Sequence, residues 1–225
     1  MIITARDEAD VIAATLEALG QAFPGTRLVL AESGSRDATA AIAGRAGAEV
    51  VQTASRRRGK GASTTTAARE ILRGGGGAGL VVLLCDGDLG ASAARLGPLV
   101  QAIEQDECDL AVAAFARRVG GGFGIAVGFS RWAIERLTGR RLAAPISGQR
   151  AMRGDVLARL LPFADGFGME TAMTVDALRA GLRLQEVEID LEHRATTRTI
   201  GGFLHRGRQL AAFARVYLSR RFRPR

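Results

Sequence analysis

The 225 residues include 31 Lys and Arg against 23 Asp and Glu, a formal charge of +8, and 47% of them are apolar. That length supports one large α/β core with little left for a second domain, and two cysteines exclude a disulfide framework. Charges or glycines interrupt every apolar stretch short of bilayer length, and a leader pattern is absent, so a cytoplasmic protein with reduced thiols is expected. The positive balance implies an anionic partner: a phosphate ligand, a membrane surface or nucleic acid.

Residues 2–5 read as a short strand, and Asp7 is placed to cap a helix bearing Val11, Ile12, Leu16 and Leu19. Residues 26–31 form the next strand. Ser35 then caps a helix centred on Ile42, and residues 48–52 make a third strand. A polar loop at 55–61 opens a helix over 62–72, which the glycine run at 74–77 ends.

Residues 79–89, Gly-Leu-Val-Val-Leu-Leu-Cys-Asp-Gly-Asp-Leu, run from an unbroken apolar stretch into two aspartates spaced i, i+2. Such a run predicts a strand buried on both faces of a parallel sheet. Ligands of open α/β sheets sit beyond the carboxyl ends of the strands, so Asp86 and Asp88 stand where a ligand would be held. Two carboxylates there repel each other unless a cation or a hydrogen-bonding ligand intervenes, and hard oxygen donors suit Mg2+ or Mn2+. The alternative is a strand-end turn with Asp88 capping the following helix.

A helix is expected over 96–105, with Pro98 in its first turn, and a strand over 109–115. Residues 120–128 are a glycine-rich loop before a helix at 129–137; the basic loop 138–141 leads to a strand within 145–153. Asp155 caps a short helix that stops at Pro162. Gly166-Phe-Gly-Met-Glu170 opens a longer helix through Val175 and Leu178, closed by Gly181. A strand over 182–192 precedes the arginine-rich segment starting at His193, and a basic helix over 203–222 ends the chain. This alternation predicts a mostly parallel sheet flanked by helices, with right-handed crossovers.

Four features carry candidate chemistry. Glu32-Ser-Gly-Ser-Arg-Asp-Ala-Thr39 can hold an anion on its backbone N–H groups while Glu32 accepts hydrogen bonds from a base or ribose, although an ordinary helix start has the same composition. Arg58-Gly-Lys-Gly61 places a cation between glycines at a helix N-terminus, without the spacing of a P-loop. Glu170 in a first helical turn compensates the helix dipole unless it lies in the crevice. Asp86, Asp88 and His193 would together make a three-ligand divalent site, and Arg194 and Arg198 would neutralise a diphosphate or remain solvated.

Ala5-Arg-Asp-Glu8, Glu32 to Thr39, Arg58 to Gly61, Cys85-Asp-Gly-Asp-Leu89, Ser147-Gly-Gln-Arg150 and Gly166 to Glu170, in this order, resemble the family 2 glycosyltransferases with a GT-A fold. The likeness spans nearly the whole chain. Its central and C-terminal parts are most similar to the dolichol-phosphate mannose synthase branch, and the stretch from Gly166 to His193 is also similar to the glucosyl-3-phosphoglycerate synthase branch. The resemblance implies a single Rossmann-like GT-A domain over residues 1–225. It implies metal-dependent transfer of a sugar from a UDP- or GDP-sugar to a polyprenyl phosphate or a small phosphorylated acceptor.

Residue by residue, the resemblance has Ala5, Glu8 and Glu32 contact the nucleoside and Lys60 lie near the nucleotide or its phosphates. Asp86 would face the ribose or donor sugar. Asp88 would bind the metal, with His193 completing its shell, and Glu170 would face sugar and acceptor as base or orienter. Arg150, Arg194 and Arg198 are candidates for the phosphate or acceptor. Arg6-Asp7 and Glu32-Ser33 depart from the family pattern, which has Asn at the second position of the first pair and two Asp at the second. These departures leave the base open. Stabilising the departing diphosphate is the main electrostatic demand of such a step, and a metal with arginines meets it.

The basic last helix and the Arg220–Arg225 tail suit a peripheral contact with anionic lipid at the inner face of the cell membrane, or else a homodimer formed through the apolar face. A sugar-phosphate nucleotidyltransferase would need a glycine-rich signature after the first strand, where residues 4–9 contain no glycine. A nucleic-acid binder would need stacking aromatics, and Trp132, Tyr217 and scattered phenylalanines do not form them, so no nucleic-acid partner is expected.

Overall fold

The apolar runs become strands whose alternate residues face two separate helical layers. A computed structural model describes residues 1–53, 59–75, 77, 79–115, 124–191 and 200–222. In chain order these hold β1 (Ile2–Ala5), α1 (Ile12–Ala22), β2 (Val29–Glu32), α2 (Thr39–Arg45), β3 (Glu49–Gln52), α3 (Lys60–Arg73) and β4 (Val81–Asp86). A 3-10 segment, Gly90–Leu96, then runs into α4 (Gly97–Glu104), followed by β5 (Leu110–Phe115), α5 (Gly124–Thr138), β6 (Arg150–Arg153) and α6 (Gly154–Leu160). A second 3-10 turn, Gly166–Gly168, leads into α7 (Met169–Arg179), and β7 (Leu184–Ile189) and α8 (Ile200–Arg221) follow.

Among the described residues the strands form one seven-stranded sheet in the order β3-β2-β1-β4-β6-β5-β7. β1 pairs in parallel with β2 and β4, β2 with β3, and β5 with β7, whereas β6 is antiparallel to β4 and β5. Because side chains alternate along a strand, Leu83 and Cys85 of β4 join the core with Ile12, Leu16, Leu96 and Leu99. Val82 and Leu84 point the other way, to Ala67, Ile71, Leu157, Met169 and Met173. Each fully buried aliphatic side chain in these layers contributes roughly 1.5–3 kcal/mol.

The chain moves from β1 outward to β2 and β3, then returns to place β4 on the other side of β1. That reversal makes a crevice at the carboxyl ends of β1 and β4, the usual ligand position in such sheets. The register puts Thr4 opposite Asp86 and Ala5 opposite Glu32, so the expected site residues meet along one rim.

Several local expectations are corrected. Asp7 does not cap α1, which starts after Val11 without a side-chain cap; Asp7 sits at φ 57° and accepts a hydrogen bond from the Arg36 N–H at 2.7 Å. Ser35 does not cap α2 either, because its hydroxyl accepts from the Asp7 N–H; Asp37 instead accepts from the Thr39 N–H at 3.0 Å. Asp155 lies within the first turn of α6 rather than at its cap. The expected glycine-rich loop at 120–128 is helical from Gly124 onward, and its first residues lie outside the described ones. The strand within 145–153 narrows to Arg150–Arg153.

The opposite end of the sheet is fastened by charge. Asp109, just before β5, accepts from Arg153 Nη2 at 3.1 Å and from Arg183 Nη2 at 3.1 Å. Bonding to Arg183 and Arg153 outweighs partial burial and holds the Asp109 carboxyl down at about 2. No described helix is long and apolar enough to cross a membrane.

Candidate active site

Asp86 ends β4 at the crevice, and three elements converge on its carboxylate. Oδ1 accepts from the Thr4 hydroxyl at 2.9 Å and from Lys60 Nζ at 2.5 Å, while Oδ2 accepts from Gln149 Nε2 at 2.9 Å. Lys60 also lies 2.7 Å from Glu170 Oε1. One ammonium thus joins two carboxylates from distant parts of the chain. Burial disfavours that charge, but Asp86 and Glu170 outweigh it and hold Lys60 protonated well above the usual lysine range.

Close backbone packing creates this meeting. Lys60 opens α3, and a Cβ on the next residue, Gly61, would lie 1.8 Å from the Ala164 carbonyl oxygen. Only a glycine lets α3 press on the segment leading to α7, where Glu170 occupies the buried first turn. The turn after β4 is pinned by Thr15, whose hydroxyl donates to the Gly87 carbonyl at 2.8 Å and accepts from the Gly90 N–H at 2.9 Å. Half-buried Asp88 sits inside that turn.

The loops after β1 and β2 are stitched together as a second rim. The Glu8 N–H donates to Thr39 Oγ1 at 2.8 Å, the Ala9 N–H to Asp37 Oδ2 at 3.1 Å, and the Ser33 N–H to the Ala5 carbonyl at 3.2 Å. Glu32, buried at the end of β2, accepts from the Ser35 N–H at 2.5 Å. One of its oxygens therefore orders the loop.

The structure brings together Ala5, Glu32, Lys60, Asp86, Asp88 and Glu170 around the crevice, with Glu8 on the adjoining rim. Arg150, a candidate for the phosphate or acceptor, has no exposed surface. Burial lowers its guanidinium to about 10, opposed by the fields of Glu170, Glu186 and Asp86. His193, Arg194 and Arg198 lie outside the described residues. Sequence reasoning passed over Thr4 and Gln149. Gln149 belongs to the Ser147–Arg150 motif and was open to discovery there, whereas Thr4 is one strand residue among four with no local mark.

Asp86 engages both carboxylate oxygens with protein donors: Thr4 and Lys60 on one, Gln149 on the other. Among the described residues no group of three or more His, Cys, Asp or Glu side chains is assembled for a metal.

The sequence profile of Glycosyl transferase family 2 matches residues 1–159. The chain belongs to this family. No curated protein matches it in sequence. Among solved structures it is similar to glucosyl-3-phosphoglycerate synthase from Mycobacterium tuberculosis in complex with Mn2+, UDP and glucosyl-3-phosphoglycerate, with 23% identity and a TM-score of 0.81 over 100% of this chain and 80% of that one. The same enzyme with Mg2+ and UDP gives 24% identity and a TM-score of 0.79, covering 100% of this chain and 79% of that one. With Mn2+, UDP-glucose and glycerol 3-phosphate the values are 23% and 0.78, over 100% and 80% of the two chains. These likenesses establish the GT-A fold for this family 2 glycosyltransferase.

Proposed function

We propose that this glycosyltransferase moves a sugar from a nucleoside-diphosphate donor, a UDP-sugar ahead of a GDP-sugar, to a small phosphorylated acceptor, using Mg2+ or Mn2+. The observation that carries the reading is the Asp86–Lys60–Glu170 bridge at the sheet's reversal point. The similar solved enzyme binds UDP with Mn2+ or Mg2+ and, in other complexes, phosphoglyceric acid, which agrees with this choice of donor and acceptor.

In this proposal Ala5, Glu8 and Glu32 face the nucleoside, and residues 1–225 act as one domain. Asp88, with His193, would hold a divalent cation, which supplies neutralisation of the diphosphate charge as it departs. Lys60 stays protonated and adds a positive charge beside the donor phosphates, while Asp86 faces the sugar or ribose and keeps Lys60 in place. Glu170 holds Lys60 through Oε1, so its second oxygen is the one to accept from an acceptor hydroxyl. If the reaction inverts configuration, Glu170 is the general base; if it retains configuration, Glu170 orients substrate. Arg194 and Arg198 then remain the candidates for the acceptor phosphate.

Thermal shift tests the donor, because a ligand bound to the native state raises apparent stability. UDP or a UDP-sugar with Mn2+ should raise the melting temperature, and less so after EDTA. No shift with any UDP- or GDP-sugar in Mn2+ would overturn the proposal.

A second reading, a polyprenyl-phosphate acceptor reached by peripheral contact with the inner face of the cell membrane, is favoured by one surface. The large exposed apolar side chains among the described residues, Trp132, Leu218 and Phe222, lie on α5, on the C-terminal part of α8 and directly after it. The Trp132 ring centroid lies 4.9 Å from that of Tyr217, and the Arg221 guanidinium lies 6.0 Å from the Tyr217 ring. An aromatic face edged with arginine suits an anionic bilayer, while self-association through it would make a homodimer. Sedimentation with anionic liposomes at low salt separates the two, and absence of binding discards the lipid acceptor.

A further inference from the structure

Arg150 is a large charged side chain enclosed in the interior. Its side chain is wholly buried, and its backbone lies in β6 opposite Leu84 of β4 and Val112 of β5. Enclosing a guanidinium is costly unless its donors are met and its charge is compensated. Its donors are only partly met: Nε donates to the Ser147 carbonyl at 2.9 Å and Nη1 to Thr174 Oγ1 at 3.0 Å, but Nη2 has no hydrogen-bond partner among the described residues. A side chain kept in such a place without full satisfaction points to a use beyond filling space.

Both bonds lead to the carboxylates of the site. The Ser147 hydroxyl donates to Gln149 Oε1 at 3.1 Å, which sets the amide so that Nε2 reaches Asp86. The Thr174 hydroxyl donates to the Glu170 carbonyl at 2.9 Å, inside the first turn of α7. We propose that Arg150 is a positioning residue for the transfer, fastening the Ser147–Gln149 loop to the start of α7 and so fixing Asp86 relative to Glu170. The planar fork is what the task requires, since it presents donors in two fixed directions where a lysine has one flexible ammonium. The proposal rests on the catalytic reading of Asp86 and Glu170.

The test compares Arg150→Lys, which keeps the charge and loses the fork, with Thr174→Val, which cuts the tie to α7 alone. Hydrogen exchange should quicken at 145–149 and 169–174 in Arg150→Lys, and at 169–174 only in Thr174→Val. UDP affinity in Mn2+ should stay within about threefold, while turnover of UDP-glucose falls about tenfold or more, as expected for small misplacement of reacting groups. Unchanged exchange in both segments overturns the proposal, as does a uniform rise across the sheet with UDP affinity and turnover falling together. Should Arg150→Lys not fold, Thr174→Val decides. Should wild-type protein fail to bind UDP, the donor assignment falls while the exchange pattern still tests the tie.

Discussion

Gly148 faces Asp86 so closely that a Cβ on it would lie 2.4 Å from Oδ2 and 2.8 Å from Lys60 Nζ. Gly148→Ala should therefore displace the Asp86–Lys60 pair while leaving the sheet intact. Overpacking of this kind costs about 1–3 kcal/mol, so turnover should fall at least tenfold with a melting temperature lowered by a few degrees. Normal turnover in a folded Gly148→Ala variant would contradict this account of the site.

Lys60→Met removes the cation between two carboxylates. Asp86 and Glu170 then face each other without an ammonium, and under the proposed function the donor phosphates lose a positive neighbour. UDP affinity, measured calorimetrically in Mn2+, should weaken about tenfold or more.

Asp88→Ala is expected to abolish the Mn2+ dependence of UDP binding. Near-normal binding that still responds to EDTA would place the cation on other ligands.

Glu170→Gln keeps shape and removes charge. Turnover should fall about 100-fold or more, with UDP affinity changed little, because the residue is assigned to the sugar and acceptor side. Unaltered turnover would remove Glu170 from the chemistry.

The Asp109 cluster predicts a pH dependence of stability away from the crevice. Its folded value of about 2 lies below the ordinary 3.8, so its stabilisation is fully present above about pH 4. It is lost as pH falls toward 2. Asp109→Asn should melt roughly 3–6 °C below wild type at pH 7, the gap closing between pH 4 and 2. A gap that persists at pH 2 would locate the effect elsewhere.

The central strand and its aspartates are legible because an apolar run buried on both faces has few other uses, and the strand–helix alternation follows from similar patterns. Asp7 and Ser35 mislead for a physical reason: short polar side chains before an apolar helix look like caps, and here they bond across loops 28 or 29 residues apart. The Gln149–Asp86 and Thr4–Asp86 bonds span 63 and 82 residues, so no local pattern announces them. The orientation of β6 is equally hidden, since four residues carry too little periodicity to declare a direction.

That backward-running strand decides which stretch of chain can touch a substrate. In the forward strands, it is what comes after the last residue that meets the ligand; in β6 it is what comes before the first. Residues 147–149 thus reach the crevice from ahead of β6, where Gln149 bonds Asp86 and Gly148 lies against it, beside the loops that follow β1 and β2.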